Sequence, residues 1–224
     1  KLKSAFWCLP VAQRRNRGFS PIPIAGSVGS ALGLKMEGWR FESVVADLEG
    51  LSLAVGVVLA DVVGDLGVDV ALKWPNDVLL AVGDEWQKLA GILLEVTGDV
   101  EGPCEVVIGI GLNVSASDTV REAAGQSVGA LADVVRAPKR NHVAAALIES
   151  LLMMLPEFER RGFGAWRAEW NRRHAYAGRS IRIHQGSTSY IAEAVEVDLS
   201  GNLIVKTEAG EQALTGGEIS IRPE

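Results

Sequence analysis

Apolar and polar positions follow three different rhythms along this chain, and each rhythm predicts its own architecture. Residues 1–43 show little periodicity. Gly18, Pro21, Pro23, Gly26, Gly29, Gly33 and Gly38 recur, and the stretch reads as loop with short strands around Ser30–Leu34 and Gly38–Phe41. Residues 44–66 hold more apolar positions than one helical stripe needs, with Asp61 and Asp65 on the wet side. That pattern predicts a mostly buried helix, closed near Gly67. Four short runs rich in Val, Ile and Leu follow: Val68–Lys73, Val78–Leu80, Ala90–Val96 and Cys104–Leu112. Their lengths suit strands, and the short Gly/Asp turns between them favour antiparallel pairing. Residues 141–162 predict a second amphipathic helix, with Asn141 as N-cap and Pro156 as a kink or break. A short helical segment, Phe163–Arg173, places Trp166 and Trp170 on one face as core residues. After Tyr176 the period drops to two, with turns at Gln185–Ser187, Leu199–Asn202, Glu208–Gly210 and Gly216–Gly217. Five short strands in so small a space imply a small barrel. The fold class is therefore α+β, with a larger domain over residues 1–175 and a smaller one over 176–224.

Composition narrows the function. The chain has 224 residues, 48% of them apolar, enough for a substantial core. A net charge of −6 argues against a general nucleic-acid binder, although Arg14, Arg15 and Arg17 form a local basic patch. Cys8 and Cys104 make neither a disulfide scaffold nor a metal-type spacing. The start, "KLKSAFWCLP", has a short apolar run broken by Pro10 and does not read as a signal peptide. No apolar stretch reaches the ~20 residues of a membrane span. A reducing, cytoplasmic setting is the expectation.

Three stretches carry candidate chemistry. In "ALKWPNDVLL", residues 71–80, two apolar runs are broken by Lys73, Trp74, Pro75, Asn76 and Asp77. Pro75 fixes φ, and Asn76 and Asp77 suit a turn at a sheet edge. On composition alone, a structural turn with an incidental Lys and Trp serves as well. In "QKLAGILLEV", residues 87–96, Lys88 precedes an apolar strand that holds Gly91. A lysine there is usually a solvated edge residue, but glycine in a strand marks close approach of a backbone or ligand, which suits a cation reaching an anion. In "VVIGIGLNV", residues 106–114, Gly109 and Gly111 fall on one face and leave it free of side chains, and Asn113 ends the strand. No third glycine or helix follows, so this is not a dinucleotide fingerprint.

Taken in order, K-W-P-N-D, K-L-A-G-I-L-L-E and V-V-I-G-I-G-L-N-V resemble the catalytic core of bacterial biotin protein ligases, and "TGGEISIR", Thr215–Arg222, resembles the last strand of that family. The resemblance implies a class II synthetase-like mixed sheet flanked by helices, followed by an SH3-like barrel. It implies a two-step reaction: biotin and MgATP give biotinyl-5′-AMP, and the biotinyl group then passes to a lysine of a biotin carboxyl carrier protein. It implies that Lys88 and Asp77 are catalytic. Lys88, Gly91, Gly109, Gly111, Arg14 and Arg15 would bind biotin, and Arg17, Asn76, Asn113 and Lys88 would bind ATP. No side chain is assigned as a direct metal ligand. Trp74 and Pro75 shape the turn, and Lys73 belongs either with them or with Asn76 and Asp77, the structural role being favoured. No nucleic acid or membrane partner is expected, and a homodimer is left open.

The family's Ser-Ser-Thr-Asn segment has no counterpart. "QRRNRGFSPIP", residues 13–23, matches only the second half of its Gly-Arg-rich loop, with Asn16 in place of a glycine. A biotin-binding module with impaired adenylation is therefore the second reading. A lipoate-type ligase is the third, and "KWPND" and "TGGEIS" oppose it.

Overall fold

The computed structural model describes residues 31–42, 48–83, 85–98, 103–124, 127–216 and 219–223. The loop expected over residues 1–30, Cys8 and the arginines Arg14, Arg15 and Arg17 lie outside these residues. Two antiparallel five-stranded sheets form the framework. The larger contains β1 (Ala31–Phe41), β2 (Val70–Lys73), β3 (Asp77–Val82), β4 (Glu85–Gly98) and β5 (Cys104–Asn113), in the order β1-β5-β4-β3-β2. The smaller contains β6 (Ser180–Gln185), β7 (Thr188–Val197), β8 (Leu203–Thr207), β9 (Gly210–Leu214) and β10 (Ile219–Pro223), in the order β10-β6-β7-β8-β9. The mixed sheet expected from the family is instead antiparallel at each pairing of its named strands. Parallel geometry enters through single bridges, Leu72–His174 and Lys88–Val128.

One face of the larger sheet builds the core. Leu32, Leu112, Ala90, Val78 and Leu72 stand opposite one another across β1, β5, β4, β3 and β2, and all are buried. Leu34, Ile110 and Ile92 make the next buried row. Alternation at period two puts these residues on one side and their neighbours on the other. Helix α1 (Leu51–Gly64) lies over this apolar face, with Gly56 set against Ile92 and Leu72. Eleven of its fourteen residues are buried, as the excess of apolar positions predicts. It starts at Leu51, after Gly50, which is left-handed at φ 76°; residues 44–47 of the expected helix lie outside the described residues.

Other expectations need adjustment. The two strands expected near the beginning are one, β1, with a register shift between Met36 and Trp39. Helix α3 (Arg140–Arg161) runs through Pro156 without interruption. Val143, Leu147, Leu151, Met154, Leu155 and Phe158 bury one face on both sides of the proline, and that packing overrides its local preference. The N-cap of α3 is Lys139, not Asn141. The segment after it is a 3₁₀ turn, Phe163–Ala165, followed by α4 (Arg167–Arg172), with Trp170 buried and Trp166 stacked near Phe158. Among the described residues no helix is long and apolar enough to cross a membrane.

The chain passes between the sheets along β2. Leu72 N donates to Arg173 O, and Ala175 N donates to Leu72 O. His174, between them, is buried against Trp170 with ring centroids 4.9 Å apart. Burial pushes its pKa down to about 4, the Val195 backbone opposing only in part. Neither ring nitrogen makes a hydrogen bond of normal geometry. A histidine held neutral in the fold must take up a proton to unfold at acid pH. Its contribution is therefore whole above the unfolded value of about 6.5 and is lost as pH falls towards 4, by about 3 kcal/mol. His174→Gln is expected to flatten the stability–pH curve in that window, measured by urea unfolding at pH 7 and pH 5. An unchanged slope removes His174 as its cause.

Candidate functional site

The opposite face of the larger sheet is where the side chains run out. Gly33 on β1, Gly111 on β5 and Gly91 on β4 are direct register partners. The row continues to Asp77 on β3 and Lys73 on β2. Opposed residues in a ladder share a face, so three glycines in line clear a strip about 10 Å wide. Among the described residues, a Cβ added at Gly33 would meet nothing within 4 Å.

Strict alternation would send Lys88 to the core, because it is three residues before Gly91. A bulge prevents this. Val78 pairs with Ala90, but Leu79 pairs with Lys88, so Leu89 is the extra residue. Leu89 and Ala90 are both buried, and Lys88 swings to the glycine side. Its Cε and Nζ both lie 3.5 Å from where a Gly91 Cβ would stand. A bulge that re-aims one cation onto a bare strip of backbone is the central device of the site.

Asp77 binds that cation. Lys88 Nζ is 2.6 Å from Asp77 Oδ1, and Lys73 Nζ is 3.2 Å from Oδ2. The Asp77 side chain is only 12% exposed, and two ammonium groups compensate its burial. Lys73, read from sequence as part of the turn, is thus the second cation of the cluster. Tyr176, from the crossing between the sheets, is electrostatically coupled to it. Burial first, and then the Asp77 carboxylate, push its phenol above the usual range, so it stays neutral.

The two asparagines expected to serve the nucleotide both bond backbone carbonyls. Asn76 Nδ2 donates to Ile92 O at 2.9 Å, and Ile92 N returns a bond to Asn76 O at 2.9 Å, so the turn is stitched to β4. Asn113 Nδ2 donates to Lys88 O at 3.2 Å and to Gly129 O at 3.1 Å. Trp74 is 1% exposed, and its Nε1 donates to Gly201 O at 3.0 Å, in the turn between β7 and β8. The Trp74–Pro75 peptide is cis, and Ser52 Oγ of α1 lies 3.4 Å from Pro75 O. The turn at residues 73–77 is therefore fixed from three sides, and Asp77 is what it presents.

Of the expected site residues, Lys88, Asp77, Gly91, Gly109 and Gly111 share the glycine face. Asn76 and Asn113 border it as clamps, and Arg14, Arg15 and Arg17 lie outside the described residues. Sequence reasoning missed Gly33. Only the register of β1 on β5 brings it into the row. A cavity of about 300 Å³ lies elsewhere, beside Ala60, Gly64, Asp69, Trp86 and Arg173, and has none of the cluster's residues in its lining.

A bare strip with one aimed ammonium suits a small, flat acid. The model of the biotin/lipoate A/B protein ligase family matches residues 35–113. The chain is 33% identical over 229 residues to the bifunctional ligase/repressor BirA of Escherichia coli, covering 99% of this chain and 68% of that protein. It is 30% identical over 231 residues to the biotin–[acetyl-CoA-carboxylase] ligase of Paracoccus denitrificans, covering 97% and 91%. Among solved structures, the biotin protein ligase of Aquifex aeolicus in complex with biotin and ATP superposes with a TM-score of 0.69 at 21% identity, over 86% of this chain and 79% of that one. At that identity the likeness is one of fold.

Proposed function

Because this chain belongs to the biotin protein ligase family, we propose that it joins biotin to AMP at the expense of ATP and passes the biotinyl group to a lysine of a carrier protein. The observation that carries this reading is the placement of Lys88 Nζ over Gly91, at the end of the strip formed by Gly33, Gly111 and Gly91. The glycines leave room for a thin ring system against the backbone. The ammonium lies where the acid's carboxylate ends, and a preorganised cation there stabilises charge developing at the α-phosphate.

The first step forms one bond and breaks one. A carboxylate oxygen of biotin attacks the α-phosphorus of ATP, and pyrophosphate leaves. Lys88 brings the two anions together and offsets their repulsion. In the second step the neutral amine of the carrier lysine attacks the acyl carbon, the acyl–oxygen bond breaks, AMP leaves, and the amine gives up a proton. Asp77 holds Lys73 and Lys88 in place through its two carboxylate oxygens. An anion bound at Lys88 would loosen that contact and turn Oδ1 towards the incoming amine.

A magnesium ion accompanies ATP in this reading. Such ions sit on phosphates with one or two carboxylates. Asp77, shared by two ammonium groups, does not fit as a ligand, so no step is routed through the metal. We further read residues 1–175 as the biotin- and ATP-binding domain and 176–224 as an SH3-like barrel. The five antiparallel strands in the order β10-β6-β7-β8-β9 support the latter.

Pyrophosphate release separates this reading from a binding module. The chain with ATP should release pyrophosphate only when biotin is added, and should label an acetyl-CoA-carboxylase carrier domain in the same mixture. Biotin binding without pyrophosphate release would establish the module instead.

A further inference from the structure

Lys88 is held by more than its own strand. Its backbone is gripped by residues 127–130, which run beside it as a short strap. Lys88 N donates to Ser127 O at 2.9 Å, and Gly129 N donates to Lys88 O at 3.0 Å. Lys88 and Val128 form a parallel bridge, and Asn113 Nδ2 joins Lys88 O to Gly129 O. Gly129 fits because it has no side chain: a Cβ there would lie 3.1 Å from both Gln87 Cβ and Leu80 Cδ2.

Two side chains in turn fix the strap. Arg121, on α2 (Asp118–Ala123), donates through one guanidinium nitrogen to Val128 O. Through Nη2 it reaches Asp133 Oδ1 at 2.7 Å and Oδ2 at 3.0 Å. Asp133 Oδ2 also accepts from Ala130 N at 2.8 Å. The pair therefore grips the strap at Val128 and at Ala130, on either side of the glycine that bonds Lys88. Ala132 N, donating to Val114 O at 2.9 Å, fastens the same turn to the end of β5. Both side chains of the pair are partly shielded, 29% and 28% exposed.

We propose that the Arg121–Asp133 ion pair is a positioning device for the reaction: by fixing residues 127–130 against the bulge at Leu89, it keeps the Lys88 ammonium aimed at the glycine strip. β5 pairs with β4 only from Ala90 onward, and the strap takes its place beside Lys88, bonding the backbone groups that β5 does not reach. Neither residue touches the glycine strip. Their effect passes through the Lys88 backbone, and Arg rather than Lys is required because one guanidinium must serve a carboxylate and a carbonyl together.

This inference rests on the ligase reading only for its kinetic arm. Amide exchange supplies the other arm. Arg121→Ala should speed exchange at the Lys88 and Gly129 amides about tenfold relative to the core strands, and should lower kcat for pyrophosphate release about tenfold while KM for ATP changes less than threefold. Arg121→Lys should recover only part of kcat, and Asp133→Asn should behave like Arg121→Ala. The loss should also disappear in a Lys88→Met background, which a general loss of stability would not produce. Unchanged exchange at Lys88, or faster exchange with kcat intact, overturns the proposal. A parent chain that releases no pyrophosphate overturns the ligase reading, and the exchange result then decides alone whether the ion pair holds Lys88.

Discussion

Lys88→Met is expected to cut biotin-dependent pyrophosphate release by about 10²–10³-fold while the melting temperature moves by only a few degrees. The magnitude is that of one preorganised donor lost from a site where negative charge develops. Methionine keeps the apolar stem, so packing beside Gly91 survives. Asp77 keeps its other partner, Lys73, at 3.2 Å, so the carboxylate is not stranded in a buried position. The effect on rate should therefore far exceed the effect on stability, and thermal unfolding beside the pyrophosphate assay separates them. Normal turnover by the variant would remove Lys88 from the chemistry. Loss of turnover with a large drop in melting temperature would make it a structural residue.

Gly201→Ala should be the most damaging single methyl group in the smaller sheet. Gly201 is left-handed, at φ 82°, which costs a side-chain-bearing residue about 1–2 kcal/mol. Its Cβ would also lie 2.9 Å from Gly50 Cα and 3.0 Å from Leu53 Cδ1. The first of these is backbone and cannot turn away, so overpacking adds about 1–3 kcal/mol. The sum, about 2–5 kcal/mol, should lower the melting temperature by roughly 5–15 °C. The Gly201 carbonyl receives the Trp74 indole N–H, so relief of the clash should also disturb the turn that presents Asp77. Activity below the melting transition should fall with it. An alanine variant with parental stability would mean the two sheets are not packed as described.

Strands were the legible part of the sequence. Runs such as "VVIGIGL" are too short for helices and too rich in branched residues for loops, and they formed β5 almost to the residue. The glycine face was legible for the same reason: alternation fixes that Gly109 and Gly111 share a side. What alternation cannot supply is register between strands. Gly33 joins Gly111 and Gly91 only through pairing, and no pattern within "SALGLKM" announces it. The bulge at Leu89 was equally hidden, since "QKLAG" reads as ordinary strand. Pro156 misled because local preference was weighed without the buried face on both sides of it. Asn76 and Asn113 were read as nucleotide contacts, and both bond backbone carbonyls; polar side chains at strand ends bond backbone as readily as ligand, and sequence does not separate the two. Residues 114–140 lack periodicity, so the Arg121–Asp133 pair left no trace until the backbone brought its members together.

One consequence of the extra residue at Leu89 concerns descent rather than chemistry. Between Glu85 and Gly91, replacing one residue by another alters a contact, but dropping or gaining one inverts the parity of the whole segment and drives an ammonium into hydrocarbon. Homologous sequences should therefore tolerate varied spelling in this stretch while keeping its letter count, and length changes should collect instead between the end of β3 and the start of β4.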